Sequence, residues 1–573
     1  MEIPQPESSQ LILDDCRRIT GPSLVWDKPG AILDVLIEDL DMDVVLECWY
    51  RHIRSLLASI DCEQRELTHR RFENGFSLLI EAPIDQLYAA VRTLETAWYF
   101  CSCELLGLEV EHPEPLLEAI REEMREELYP ALIEMQQAAA EQGVDFLVDD
   151  EWVCVGQGCG SISWPFEKIP SPQQVDWDKV HDVPLALVTG TNGKSTSVRL
   201  LDNIARAAGQ VSGLTSTDFV RVGDDVLDRG DYSGPGGARL LLRDQRLQVA
   251  FLEVARGGIL RRGLPLQRAR TALVTNIARD HLGQYGINNL QALTQTKLVV
   301  RKALGEEGVL VLNADDENLV EAMQDITTGN ICWFSLHSDN ALIQRQLAGK
   351  GRCCYAQAGE IIYSENGVAQ SLCPVADVPM TLDGAALHNV QNVLGAVGVA
   401  RAMGYSNEHI CKGLQSFYSD RRDNPGRMNL FALANDARAI VDYAHNAHGI
   451  NALVDTMSRM ESQRLWVLSS SAGDRSNESI GNLVEGLASL KPDKVVIVEL
   501  EHYLRGREPG EISEVLKQAY LDRGLQAQQL DFANSPLAGV EHILQQLQAG
   551  DLALLLVLDQ REEVFQLLEA HAG

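Results

Sequence analysis

Positive charge is scarce in this 573-residue chain: 49 lysines and arginines stand against 82 aspartates and glutamates, for a formal net charge of −33. So acidic a surface repels a phosphate backbone, which argues against nucleic-acid binding. A basic pocket inside the acidic shell remains compatible with it. Long apolar runs are missing too. None approaches the ~18 residues of a membrane helix, and a prominent one, Leu552 to Leu558, has the length of a buried strand. The twelve cysteines form no C-x-x-C pairs at zinc-ribbon spacing. The opening Met-Glu-Ile-Pro-Gln-Pro-Glu has neither a basic nor an apolar signal region. Together these features predict a reduced, cytoplasmic protein with no membrane attachment. No internal repeat or low-complexity tract is present.

What is there is enough for several cores. The apolar share is 45%, and the length exceeds what one core fills, so three or four domains are expected. Strand patterns at 31–38 and 76–82, with an amphipathic helix over 85–101, predict a small α+β domain over 1–165. Within it, the Glu-rich stretch 114–142 reads as a solvated helical face. Three prolines, Pro165, Pro170 and Pro172, mark a linker at 166–182. From 183 to 422 strands and helices alternate: strands 185–188, 249–253, 272–276 and 308–312, helices 195–208 and 290–304. That alternation predicts a doubly wound parallel α/β sheet. A second alternation, with strands 439–442, 464–468, 494–498 and 552–557, predicts a separate C-terminal α/β domain over 423–573. The junction falls at the turn-rich Asp423-Asn-Pro-Gly.

The most informative stretch runs from Leu185 to Thr196. An apolar strand enters a loop, Thr189-Gly-Thr-Asn-Gly-Lys-Ser-Thr, and a helical pattern follows. Gly190 and Gly193 let backbone N–H groups approach phosphate oxygens, with Thr191 and Asn192 between them. Lys194 offers a point charge to the β/γ-phosphates, and Ser195 or Thr196 a hydroxyl to Mg²⁺. The helix N-terminus adds partial positive charge. Val188 stands where the general phosphate-loop pattern has its first glycine. Glu253 ends an apolar strand, where ligands gather in doubly wound sheets.

The departure at Val188 is itself informative, because Thr-Gly-Thr-Asn-Gly-Lys-Ser-Thr resembles the nucleotide loop of the Mur ligase family. Further similar motifs follow in order: Leu252-Glu-Val-Ala-Arg-Gly-Gly, Thr275-Asn-Ile-Ala-Arg-Asp-His-Leu-Gly, His388-Asn-Val-Gln-Asn, Asn424-Pro-Gly-Arg and Val441-Asp-Tyr-Ala-His-Asn. More narrowly, Gly230-Asp-Tyr-Ser-Gly-Pro-Gly, Ala472-Gly-Asp-Arg and Tyr503-Leu-Arg-Gly-Arg-Glu-Pro-Gly-Glu resemble the Mur-like half of cyanophycin synthetases. The first domain is similar to theirs through Ile19-Thr-Gly-Pro-Ser-Leu-Val-Trp. Their ATP-grasp domain would lie between these parts, and only the short linker stands there.

The resemblance implies a Mur ligase central ATP-binding domain and a Rossmann-like C-terminal domain. It implies Glu253 and His281 as metal ligands beside Ser195, and Lys297 as a lysine that can be carbamylated. Because histidine is an unusual ligand for Mg²⁺, Mn²⁺ is an expected substitute. Asn389 and Asn392 are expected near the nucleotide. Arg427 is expected to reach the phosphates and Asp442 to hold the ribose, so that closure of the C-terminal domain completes the site. Ala447 replaces the family proline after Asn446. Arg475, Arg505 and Arg507 are expected to receive a substrate carboxylate. The implied activity is an ATP-dependent ligation of an amino acid or short peptide through an acyl phosphate, forming an amide or isopeptide bond. A homo-oligomer and a separate ATP-grasp enzyme in the same pathway are the implied partners. The competing readings are a P-loop ATPase or kinase without amide formation, and an inactive binding or scaffold protein. Intact Lys194, Glu253 and His281 argue against the last.

Overall fold

The computed structural model describes residues 3–110, 113–280, 282–324 and 330–572. Near the N-terminus four strands, β1 (Leu11–Ile19), β2 (Gly30–Ile37), β3 (Leu67–Phe72) and β4 (Gly75–Glu81), pair antiparallel in the order β1-β2-β4-β3. Alternate residues of the central strands, Leu33, Val35, Leu78 and Ile80, meet Trp49 and Ile53 of helix Met42–Ser59 and Leu94 and Trp98 of helix Leu87–Leu106. The period-2 pattern on the strands and the 3.6-residue pattern on the helices close one core. The first helix is capped by Asp41, whose carboxylate accepts from the N–H groups of Asp43 and Val44. The expected charged stretch 114–142 is two helices, Pro113–Glu127 and Pro130–Gln142. Pro130 lacks the N–H that would continue the first helix and instead opens the second.

A small antiparallel sheet follows: β5 (Phe146–Val148), β6 (Trp152–Val155) and β7 (Ile162–Pro165). Residues 166–182 carry three single 3₁₀ turns, and Val175 and Val180 are buried with Met135, Ala139 and Val155. Next come β8 (Leu185–Thr189), β9 (Ser212–Thr215), β10 (Phe219–Val222), β11 (Asp225–Arg229), β12 (Val249–Glu253), β13 (Ala269–Val274), β14 (Leu304–Asn313) and β15 (Asn330–Ser335), in sheet order β11-β10-β9-β12-β8-β13-β14-β15. Strands β9, β12, β8, β13 and β14 are parallel. Because β8 is flanked by β12 and β13, the chain leaves it to opposite sides, and a crevice opens at its C-terminal end. The expected helix 290–304 is shorter: the α-helix spans Leu290–Lys297, and a 3₁₀ segment at Leu298–Ala303 replaces its second half. Val299 and Val300, β-branched neighbours that crowd a helical turn, fall in that segment.

Beyond this, β16 (Arg352–Gln357), β17 (Glu360–Glu365) and β18 (Val368–Pro374) form an antiparallel meander. The last sheet contains β19 (Asn429–Ala432), β20 (Arg438–Asp442), β21 (Leu465–Ser469), β22 (Lys494–Val498), β23 (Leu530–Ala533) and β24 (Leu552–Leu556), ordered β19-β20-β24-β21-β22-β23. All are parallel except the edge strand β19. Both faces are apolar: Ile440, Val467, Val495 and Leu554 serve one core, and Val441, Leu468, Val496 and Leu555 the other. The expected doubly wound α/β class is what both large sheets display. By packing, the chain divides into two units, residues 1–277, 281–333 and 398–406, and residues 278–280, 334–397 and 407–573. No described helix is long and apolar enough to cross a membrane.

Candidate active site

The first unit builds a loop held by its own neighbour strand. At the end of β8, Gly190 takes φ +146°, and a Cβ placed there would lie 1.8 Å from Thr275 Oγ1, just beyond β13. The loop then hydrogen-bonds along the same edge. Thr191 N–H donates to Asn276 O (2.8 Å) and Asn192 N–H to Asn276 Oδ1 (2.9 Å). In return, Thr275 Oγ1 donates to Asn192 O (2.6 Å) and Asn276 Nδ2 to the same carbonyl (3.1 Å). Gly193, at φ +86°, caps helix Lys194–Ala207 and turns its first N–H groups toward the loop. Thr275 and Asn276 belong to a motif visible in the sequence, but nothing there assigned them to the loop. Their signal is two short polar side chains directly after an apolar strand. Gly190→Ala combines a left-handed backbone with this steric overlap. The strain alone is about 1–3 kcal/mol, so a lowered melting temperature and lost nucleotide binding are expected, readable by calorimetry.

Charged and hydroxyl groups converge behind the loop. Lys194 curls over it, and its Nζ donates to Thr191 O (2.9 Å). Ser195 Oγ donates to Glu253 Oε2 at 2.8 Å and lies 3.2 Å from Thr217 Oγ1. Glu253, only 2% exposed at the end of β12, receives its backbone support from Thr215 Oγ1 at 3.1 Å. Thr217 had no counterpart among the expected residues. Thr196 is buried in the first helical turn. Lys297, also buried, extends from its helix to donate to Gly190 O at 2.8 Å. One anionic and two hydroxyl oxygens beside a glycine loop form a hard-oxygen set suited to a divalent cation. The structure thus brings together Gly190 to Thr196, Glu253 and Lys297. His281 lies outside the described residues.

In the second unit, Asp442 ends β20 in a buried position. Met428 N–H donates to its Oδ2 (2.8 Å) and Ala444 N–H to its Oδ1 (2.7 Å). Burial raises its pKa, and the Arg427 charge opposes that rise. The Arg427 guanidinium stands 5.0 Å from the Tyr443 ring centre. Asn389 is buried and donates to Met380 O at 2.8 Å, and Asn392 donates to Asn389 Oδ1 at 3.3 Å. The three loop arginines each face an acid. Arg475 Nη1 donates to Asp280 Oδ1 (2.8 Å), Arg505 pairs with Asp474, and Arg507 Nη1 donates to Glu511 Oε1 (2.6 Å). Arg507 also donates to the carbonyls of Gly473 (3.0 Å) and Arg475 (2.7 Å), fixing the loop.

His445 donates from Nδ1–H to Tyr443 O (3.0 Å), and burial pushes its pKa from 6.5 down to about 4. The folded state therefore favours the neutral ring. Its stabilising contribution is complete above pH 6.5 and is lost as pH falls toward 4, on the order of 3 kcal/mol in all. Replacing His445 by Asn should flatten the acid limb of a melting-temperature profile across that window.

Among the described residues, a Cys48, His52 and Glu104 cluster has ligand atoms within 4.8 Å of one another. A cation already fills it: Arg51 donates twice to Glu104, at 2.8 and 2.6 Å, and once to Cys48 Sγ at 3.6 Å.

A glycine loop at the switch point of a parallel sheet, with an acid at the neighbouring strand end, defines a P-loop α/β protein. Residues 188–400 match the Mur ligase middle domain and residues 426–556 the Mur ligase glutamate ligase domain, and through these two domains the chain belongs to the Mur ligase family. It is 37% identical over 334 residues to the cyanophycin synthetase of Crocosphaera subtropica, covering 58% of this chain and 38% of that protein. With the cyanophycin synthetase of Synechocystis sp. it shares 35% identity over 381 residues, covering 66% of this chain and 41% of the other. The chain thus spans about two-fifths of the length of these curated relatives. In fold it is similar to E. coli FolC solved with DHPP and ADP, at a TM-score of 0.51 and 20% identity, over 68% of this chain and 89% of that one. The resemblance noted in the motifs, to Mur ligases and within them to cyanophycin synthetases, is confirmed.

Proposed function

We propose that this protein is an ATP-dependent carboxylate–amine ligase. It joins an amino acid or short peptide to a carboxylate acceptor as an amide or isopeptide, releasing ADP and phosphate. A carboxylate is a poor electrophile. Its oxygen must first attack the γ-phosphorus of ATP, expelling ADP and forming an acyl phosphate. An amine then attacks the acyl carbon, and phosphate departs with the carboxylate oxygen. Backbone N–H groups at the start of helix Lys194–Ala207, from Gly193 on, hold the triphosphate, and Lys194 neutralises charge as the phosphoryl group transfers. Ser195 and Glu253 would hold Mg²⁺, for which Mn²⁺ can substitute, and His281 is the further ligand we assign. The ion would screen the phosphoryl oxygens. Lys297 anchors the loop through Gly190 O. Arg427 and Asp442 are assigned to the phosphates and ribose, Asn389 to the nucleotide, and Arg475, Arg505 and Arg507 to a substrate carboxylate.

The observation that carries this reading is the 2.8 Å Ser195–Glu253 pair directly behind the glycine loop. The relatives named above support the ligase class. With no ATP-grasp domain in the linker, a separate enzyme of that type would supply or consume the acidic chain. The test is incubation with ATP over a panel of amino acids and acidic dipeptides, with nucleotide and product mass both followed. ADP formation dependent on an amine, with a product one water lighter than the sum of its parts, supports the proposal. AMP release, or ADP without a new C–N bond in any pair, overturns it.

A further inference from the structure

The face of the N-terminal sheet turned away from helices Met42–Ser59 and Leu87–Leu106 carries a polar row where an apolar one would be cheaper to bury. Asp15, Asp34, Ser77 and Arg70 are register partners across all four strands, in that order. Arg17 leans into the row, its Nη1 donating to Asp34 Oδ2 at 2.6 Å, and both side chains are buried. Asp34 and Ser77 at the centre of the row are buried, while Asp15 at one end stays part-exposed. The row receives the turn 283–287, which follows His281 in the chain. Arg70 Nη2 donates to Tyr285 O (2.8 Å) and Nη1 to Gly286 O (3.3 Å), while the Arg17 guanidinium lies 4.5 Å from the Tyr285 ring centre.

The gripped turn holds one residue, Tyr285, in a strained conformation. Gly283, Tyr285 and Gly286 all have positive φ, +92°, +57° and +63°. For tyrosine that conformation persists only where surroundings impose it. A Cβ on Gly286 would lie 2.4 Å from the Phe72 ring of β3, so the two surfaces meet without slack. The grip reaches further. Gln284 Oε1 accepts from Arg256 Nη2 at 2.6 Å, and Arg256 stands three residues beyond Glu253. Arg17 Nε also donates to Leu260 O (2.9 Å), on the helix that Arg256 begins. The helix that follows β12 and the turn that follows β13 are therefore both held by one sheet face.

We propose that the N-terminal sheet is a working part of the ligase site. Arg70 and Arg17 are positioning residues that fix the turn 283–287 and, through Gln284, Arg256, in the arrangement turnover needs. This rests on the ligase reading above. An arginine fork donating to two consecutive carbonyls sets direction as well as distance, which an apolar contact cannot do.

The test uses the full chain with two substitutions on opposite sides of the contact, Arg70→Met and Gly286→Val. Three quantities are read: kcat with KM for ATP, the divalent-metal concentration giving half-maximal rate, and hydrogen exchange by peptide. Misplacement of a reacting segment costs about 10- to 100-fold. Both variants should lose that much kcat with KM for ATP nearly unchanged, need more metal, and exchange faster at 283–288. Helix Lys194–Ala207 should keep its protection, and Arg70→Lys should restore part of the rate. The inference fails if exchange at the turn rises while kcat and metal demand stay at wild-type values, or if exchange there does not change. It also fails if protection drops equally in helix Lys194–Ala207, since that is a general loss of stability. A wild-type protein that ligates nothing would instead overturn the parent reading, and the exchange data would show separately whether the sheet grips the turn.

Discussion

Lys194→Ala is expected to reduce ATP turnover by about 10²–10³-fold, the usual cost of removing one preorganised charge-stabilising group, while leaving the melting temperature within a degree or two. The two halves of that expectation have separate causes. The lysine sits at the first position of helix Lys194–Ala207, is only part-buried, and makes one hydrogen bond, to the Thr191 carbonyl of its own loop. Alanine is the best helix former, and the side-chain hydrogen bond lost is the single one to the Thr191 carbonyl. The loop itself is secured by Thr275 and Asn276 rather than by Lys194. Only the charge presented to the phosphates disappears. Steady-state ADP release alongside calorimetry checks both halves, and a variant that turns over normally would remove the loop lysine from the mechanism.

Glu253→Gln should give the second large effect, a fall in kcat on the order of 10²-fold or more, with a marked rise in the metal concentration required. The amide keeps the volume and one carbonyl oxygen, so it can still accept from Ser195 Oγ. What it loses is the negative charge at a position 2% exposed. A buried carboxylate carries a desolvation cost that a neutral amide does not. The variant should therefore melt no lower than the parent, and higher in metal-free buffer. Metal titrations of rate, with melting curves in EDTA, separate this outcome from misfolding. An unchanged metal demand would show that Glu253 does not hold the ion.

Much of this arrangement was legible in the chain because its signals are local. The run Leu185–Val188 ahead of two glycines and a Lys-Ser pair fixes strand, loop and helix within twelve residues, and β12 and β22 fall at the expected bounds. Contacts made between distant segments left weaker traces. Thr275 and Asn276 clasp Asn192 from more than eighty residues away, and only the sheet order β12-β8-β13 brings them alongside. Thr217 reaches Ser195 for a similar reason. The polar row of the N-terminal sheet was hidden because Arg17, Asp34 and Arg70 look like ordinary surface charges until the strands are in register. The second half of the expected helix 290–304 was misread because its apolar spacing fits a 3₁₀ segment as well as an α-helix.

The central claim is that a carboxylate oxygen of the acceptor captures the terminal phosphoryl group of ATP, and isotope transfer tests it most directly. With an acceptor labelled with ¹⁸O in the reacting carboxylate, ligation by the wild-type protein should deliver one labelled oxygen into the phosphate released for each bond made. Phosphate free of label, or label recovered in AMP, would contradict the account.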